Sequence, residues 1–385
     1  MESMNQIALR DINAGLILRI IRDFAPVSRT EIAERTGLAS STVTVITKEF
    51  QQKRLIRECG RANSTGGRRQ VLLEVNPEGG HFICADLSAS TLTVGVVDFS
   101  FQVVAVWHSS MAGRFGEELY ADLVKKLLQV QGWCKTRNLT QLAVGVATPG
   151  MIDPAEGRVM DADYLDWQDF DLQQRLQNDL GCPVVVENDT NAAALAEFRF
   201  GDGRNYNFSN VMYVTTGTGV GSGLIIQGDL YRGSAGTAGE IGHVVVQMDG
   251  LRCVCGNNGC VETLASSASM LREYRQNGGD VKDIDDLLKK ARSGDHGAVA
   301  VLQRAGRAIG LAIGSQANML SLDAVFVGGL ATQDANLFAS IEDGARRSTL
   351  PRVPLQLGRA SLGQTAGLIG VAWLSLDRVV KELLG

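Results

Sequence analysis

Three cysteines and one histidine form the densest cluster of reactive side chains in this chain. Cys253, Cys255 and Cys260 fall in the stretch Cys-Val-Cys-Gly-Asn-Asn-Gly-Cys-Val-Glu, and His243 stands a short spacer upstream in Gly-Glu-Ile-Gly-His. Thiolates and an imidazole are the N/S ligands that Zn2+ takes in tetrahedral geometry, and the interleaved glycines let the backbone turn tightly enough to converge them. The competing reading is a chance cluster of small residues in a turn; against it, local cysteines with a distant histidine are a metal spacing. A closed four-ligand shell is structural and catalyses nothing. Attention therefore moves to the two carboxylates flanking it, Glu240 and Glu262.

Something must position that cluster, and the chain is long enough to do so with two or three domains. A hydrophobic content of 45% with 21% charged residues excludes a disordered or fibrous chain. No apolar run reaches a membrane span and the first residues do not read as a signal peptide, so a cytoplasmic protein without membrane insertion is expected. The odd cysteine count, seven, argues against a disulfide framework. Net charge is −5, but residues 1 to 75 hold 12 Lys and Arg against 8 Asp and Glu, while the remainder holds 25 against 34. The head is basic and the body acidic.

The head reads as a winged helix-turn-helix. Leu16, Ile17, Ile20, Ile21 and Phe24 give Asn13 to Phe24 a helical apolar face. Ser28-Arg29-Thr30-Glu31 is a capping box for a second helix, Thr36-Gly37-Leu38 is a turn, and a third helix runs from Ala39 or Ser40 towards Gln52. Val43 and Ile46 face inward, while Ser40, Ser41, Thr42 and Thr44 stand at the end that meets DNA. Two strands, Leu55 to Cys59 and Arg68 to Val75, make a wing with Arg61, Arg68 and Arg69 at its tip for phosphate contact. The alternative is a three-helix interaction module with a solvated charged hairpin. Double-stranded operator DNA is the expected partner, read by a homodimer or a dimer of dimers.

Beyond a linker at 76–80 the pattern is strand, turn, strand, strand, helix, strand, and it recurs. Val211 to Thr215, the turn Gly217-Thr218-Gly219-Val220-Gly221 and Leu224 to Gln227 repeat the strand-turn-strand of residues 81–98. Ala324 to Val327 with Gly328-Gly329 echoes Leu142 to Gly150. Two related α/β halves with a ligand between them follow from the duplication.

Taken together, the winged helix joined to this body and the pattern Gly242-His243 with Cys253-x-Cys255-Gly256-x-x-Gly259-Cys260-x-Glu262 resemble the ROK-family transcriptional regulators. That family includes xylose and N-acetylglucosamine repressors and Mlc. The resemblance covers nearly the whole chain. It implies an N-terminal winged helix-turn-helix followed by a two-lobed α/β actin-like, hexokinase-type body. The domains are then 1–78, a first lobe of 79–197 plus 366–385, and a second lobe of 198–365 with the zinc site.

It also implies a monosaccharide effector contacted by Asn188, Asp189, Glu240, His243 and Glu262, with Gly150 in an approaching turn, and a structural Zn2+ bracing the wall. Taken singly, Asp189 reads equally as a helix N-cap and Glu262 as a first-turn carboxylate. In the family's kinases Asp189 would be the catalytic base and two glycine-rich turns would hold ATP. Here the second turn, from Thr216 to Gly223, is intact, but the first reads Asp86-Leu87-Ser88-Ala89-Ser90 where Asp-x-Gly-Gly-Thr is expected. Cβ atoms where the backbone must approach phosphate remove that cradle, so neither ATP use nor kinase activity is expected. The rivals are a bifunctional sugar kinase that binds DNA, and a repressor controlled by a protein partner such as a sugar-transport component.

Overall fold

The structure, a computed structural model, describes residues 2–62, 69–88, 90–111, 113–202 and 208–384. Arg68 of the wing and Ala89 of the first glycine-poor turn lie outside the described residues. The chain divides into two compact units: residues 1–150, 155–187 and 371–385 form the first, and 151–154 with 188–370 the second.

The first unit begins with the head: helix α1 (Glu2–Phe24), strand β1 (Val27–Ser28), helices α2 (Arg29–Thr36) and α3 (Ser40–Gln52), and strands β2 (Ile56–Arg61) and β3 (Val71–Val75). The capping box forms as the sequence predicts. Ser28 Oγ accepts from the Glu31 N–H at 3.2 Å, and the Ser28 N–H donates to Glu31 Oε2 at 2.8 Å. Gly37, at φ 70°, ends α2 in the left-handed region with its N–H on the Ala33 carbonyl.

Val43, Ile46 and Phe50 of α3 are buried, and β2 pairs antiparallel with β3, which also pairs with β1. Arg29 binds α2 to α3 through Thr47 Oγ1 at 2.9 Å and Gln51 Oε1 at 2.8 Å. One expectation is corrected. The buried face of α1 is Ala14, Ile17, Leu18 and Ile21, whereas Leu16 and Phe24 are exposed. Both stripes share Ile17 and Ile21, and packing against α2, α3 and β3 selects between them; Phe24 instead lies under the Arg35 guanidinium, 3.9 Å away.

The rest of this unit is a five-stranded sheet covered by helices. Its strands are β4 (His81–Leu87), β5 (Thr91–Asp98), β6 (Val103–Ser110), β7 (Gln141–Thr148) and β11 (Val184–Asn188), in the order β11-β7-β4-β5-β6. Helices α4 (Gly116–Thr136) and α5 (Leu172–Leu180) belong here with the antiparallel pair β9 (Arg158–Ala162) and β10 (Trp167–Phe170); β8 (Met151–Asp153) is counted with the second unit.

The second unit repeats that plan. Strands β12 (Val211–Thr216), β13 (Val220–Ile226) and β14 (Asp229–Tyr231) form a meander, and β15 (Ala324–Val327) and β16 (Gln356–Arg359) extend it as β14-β13-β12-β15-β16. In both sheets the first strand of the meander pairs parallel with the fourth strand, so the duplication read from the sequence is a duplication of topology. Helices α6 (Asp189–Phe200), α7 (Val261–Ala265), α8 (Ser267–Gln276), α9 (Ile284–Arg292), α10 (His296–Leu320), α11 (Leu330–Gln333) and α12 (Ala335–Ser348) belong to this unit, and α13 (Ala366–Leu384), last in the chain, falls in the first unit from residue 371 on. Gly306 and Gly310 let α10 and α12 touch backbone to backbone: a Cβ on Gly310 would meet Ile341 and Ala345 main-chain atoms.

The second glycine turn is shorter than expected. Strand β13 begins at Val220, so Gly221 and Gly223 are strand residues whose bare Cα atoms admit α6; an added Cβ would press on Thr190 at one and on Ala194 at the other. Among the described residues no helix is long and apolar enough to cross a membrane.

Candidate functional site

The loop between β14 and α7 converges the expected ligands by its own backbone bonds. The Gly259 carbonyl accepts from the N–H groups of Val246 and Gln247, the Cys253 N–H donates to the Asn257 carbonyl, and the Val261 N–H to the Val244 carbonyl. Two of its glycines, Gly256 at φ 96° and Gly259 at φ 70°, occupy the left-handed region that L side chains avoid. A Cβ on Gly259 would also land on the Gln247 carbonyl.

The result brings one ligand atom each from His243, Cys253, Cys255 and Cys260 within 4.8 Å of one another. His243 Nδ1 lies 3.5 Å from Cys253 Sγ, and Cys255 Sγ 3.7 Å from Cys260 Sγ. Ligands held tetrahedrally at about 2.0–2.3 Å from an ion stand roughly 3.3–3.8 Å apart, so donor types and spacing both fit a tetrahedral, thiolate-preferring metal. Burial pushes the Cys260 thiol up to about 12, whereas the Asn257 N–H draws Cys255 down to about 7. A bound cation overrides such differences and holds coordinating sulfurs as thiolates.

With Nδ1 turned to the cysteines, His243 presents Nε2 to two carboxylates. Glu262 Oε2 is 3.9 Å from Nε2 and Glu240 Oε2 is 4.0 Å from it. These separations exceed hydrogen-bond length, so the coupling is electrostatic and leaves room for a polar group that bonds to all three. Glu262 sits in the first turn of α7, immediately after the Cys260 cap, which ties its direction to the metal loop. Gly219 abuts it: an added Cβ would stand 3.0 Å from Glu262 Oε1. Gly239, at φ 94°, lets Glu240 follow a backbone pressed against Ser222, whose Oγ donates to the Gly239 carbonyl at 2.7 Å.

Asp189 opens α6, but it is not the cap. Asn188 caps the helix, its Oδ1 accepting from the Thr190 and Asn191 N–H groups at 3.0 Å each. Asp189 Oδ1 accepts from the Thr190 N–H at 2.7 Å. Desolvation raises the Asp189 carboxyl above its ordinary range, and the charge of Glu240 adds to the rise. Glu240 is raised in turn, first by desolvation; His243 opposes the shift and Glu262 reinforces it. Glu240 keeps about half its side chain exposed (53%), so solvent screening tempers that push. Gly150, in the first unit, has φ 104° and no space for a Cβ beside Asp161 and Ala162.

The first turn is closed on itself. The Ser88 N–H donates to the Thr91 carbonyl, and the Thr91 N–H donates to Ser88 Oγ at 3.2 Å. A backbone donor of the kind a phosphate cradle offers is thus already taken by a side chain. The second turn's Gly217 carbonyl is held by the N–H and Oγ of Ser267. Sequence reasoning missed the Ser222, Ser88 and Ser267 contacts; a serine within a glycine-rich stretch signalled Ser222, and no local pattern signalled Ser88 or Ser267.

At the head, Ser40 and Ser41 are exposed, Thr42 is half-buried, and Thr44 Oγ1 donates to the Ser40 carbonyl at 2.7 Å. Ala39 caps α3 without a side-chain bond, so the first amides of that helix get no help from their own cap. Arg61, at the end of β2, and Arg69 are exposed.

The chain is similar to known proteins along its length. A winged helix-turn-helix DNA-binding model matches residues 10–57, and the ROK family model matches residues 82–378. The xylose repressor of Bacillus subtilis (strain 168) is 28% identical over 389 residues, covering 100% of both chains. The DNA-binding transcriptional dual regulator NagC of Escherichia coli (strain K12) is 30% identical over 376 residues, covering 93% of this chain and 92% of its own. Among solved structures, a ROK family transcriptional regulator described as a homolog of the E. coli MLC protein superposes with a TM-score of 0.85 at 27% identity over 98% of each chain. A ROK family glucokinase from Streptomyces griseus, solved with glucose and AMPPNP, gives a TM-score of 0.68 at 31% identity, covering 77% of this chain and 99% of that one.

Proposed function

The chain belongs to the ROK family, and from that premise we propose that it is a sugar-responsive transcriptional repressor whose body senses a monosaccharide and whose winged helix holds operator DNA. The observation that carries this reading is the placement of Glu240 and Glu262 about Nε2 of a histidine whose Nδ1 faces three thiols. Carboxylates and an imidazole aimed at one point can bond to neighbouring hydroxyls in pairs, and a sugar lacking one hydroxyl leaves a polar group unmatched. Zn2+ in the Cys3His cage is structural: it fixes His243, and through Cys260 the start of α7 and Glu262. Asn188 and Asp189 add to the sugar site within the same unit. Ser40, Ser41, Thr42 and Thr44 meet bases, and Arg61, Arg68 and Arg69 meet phosphates, in a dimer whose two heads read a two-fold site.

Sugar binding weakens the operator complex because the sugar favours one arrangement of the protein and DNA another. The test is operator binding titrated with hexoses, pentoses and amino sugars. At least one should release DNA; if none does, and none alters melting, the sensor reading falls.

A second reading, a kinase that also binds DNA, draws on the raised carboxyl of Asp189, the residue that would be the base by resemblance to the family's kinases, and on the likeness to the glucokinase. The Ser88-closed first turn speaks against it. ATP consumption with the same sugars, abolished by Asp189→Asn, would establish the kinase and overturn the repressor-only reading.

A further inference from the structure

The solvent face of α3 runs one residue per turn through Ser41, Val45, Lys48 and Gln52, opposite the buried Val43, Ile46, Thr47 and Phe50. Val45 breaks its polar character. A branched apolar side chain, 61% exposed, stands between a hydroxyl and an ammonium on the helix that a winged helix-turn-helix lays in the major groove. The core gains nothing from it, since Val43 and Ile46 already fill that side, and a β-branched residue is a weaker helix former than alanine.

DNA explains both its neighbours and its chemistry. Lys48 and Arg69 supply exposed positive charge on a head that carries 12 basic against 8 acidic residues, and uncapped amides at the start of α3 suit a phosphate oxygen. The one apolar group on a base edge in the major groove is the thymine C5-methyl. Thr44, the nearest side chain on the adjacent face, is half-buried with its hydroxyl proton on the Ser40 carbonyl, so Val45 is the exposed apolar side chain of the helix's second turn.

We infer that Val45 is a specificity-determining residue that recognises a thymine methyl in each operator half-site, with Ser41 before it contacting the preceding base edge and Lys48 after it gripping the backbone. This rests on the DNA-binding reading above.

An operator selected in vitro with the full-length wild-type protein provides the probe, and each thymine in it is replaced singly by uracil, which removes the methyl and nothing else. Wild-type binding should fall about fourfold, the loss for one buried methyl-sized group, at one symmetry-related position per half-site. Val45→Ala, which removes the contact in both half-sites, should bind the unsubstituted operator about 16-fold more weakly and be indifferent to uracil there. Lys48→Ala should weaken all duplexes alike, lower the salt slope by about two, one for each head of the dimer, and keep the wild-type uracil response. Val45→Thr, of the same shape, checks that alanine has not altered the head, and melting of both variants should match wild type. Equal uracil losses in wild type and Val45→Ala, or no sensitive thymine, overturn the assignment while DNA binding stands. A wild-type protein that selects no sequence at all overturns the DNA-binding reading and this one with it.

Discussion

Asp189 and Glu240, the proposed sugar contacts, carry carboxyls that work against the stability of the fold. Both carboxyls are raised, first by desolvation, so the folded protein holds their protons more tightly than the unfolded chain does. In sign, a raised carboxyl contributes its full stability below the unfolded value, 3.8 for Asp189, and loses it as pH rises through the folded value. At neutral pH the Asp189 charge therefore opposes folding. Asp189→Asn should melt higher than wild type at pH 7, with the difference vanishing in acid, while sugar affinity falls by about 10- to 100-fold for the lost charged hydrogen bond. Thermal melts across pH beside calorimetric titration check both; a variant less stable than wild type at neutral pH would contradict the sign.

At the scale of elements, the loop that gathers the proposed zinc ligands is shaped by backbone geometry. Gly259 combines a left-handed φ with a carbonyl where its Cβ would lie, and it adjoins Cys260. Gly259→Ala should displace Cys260, lower metal content to well under one ion per chain and weaken sugar binding through His243 and Glu262, although neither contact residue is altered. Elemental analysis with a sugar titration measures this. Stripping zinc from the wild type with a chelator should produce the same two losses and a lower melting temperature. A metal-free protein with normal sugar affinity would remove the brace from the account.

For the whole molecule, sensing must appear as linkage. A sugar that binds only the folded protein stabilises it by about 2.7 kcal/mol at a hundred times its Kd, which a melting screen detects without an operator in hand. The same sugar should then weaken operator binding, and by reciprocity saturating operator should weaken the sugar. A sugar that raises the melting temperature and leaves operator affinity untouched would separate recognition from regulation.

Local chemistry carried the features that the sequence alone determined. The Ser28 capping box, the Gly37 turn, the cysteine spacing and the strand-turn-strand duplication each depend on neighbours in the chain, and each is present in the fold. Tertiary structure decided the rest, because packing chooses between faces that periodicity leaves equivalent. It placed Ala14 and Leu18 of α1 in the core ahead of Leu16 and Phe24, and it made Gly221 and Gly223 a seat for α6 inside a strand. It also gave the N-cap of α6 to Asn188, freeing the Asp189 carboxylate from that task. The meeting of His243 Nε2 with Glu240 and Glu262 was beyond sequence for the same reason: imidazole and carboxylate orientation depends on a loop folding around four ligands and on Gly219 and Ser222 from a distant strand and turn.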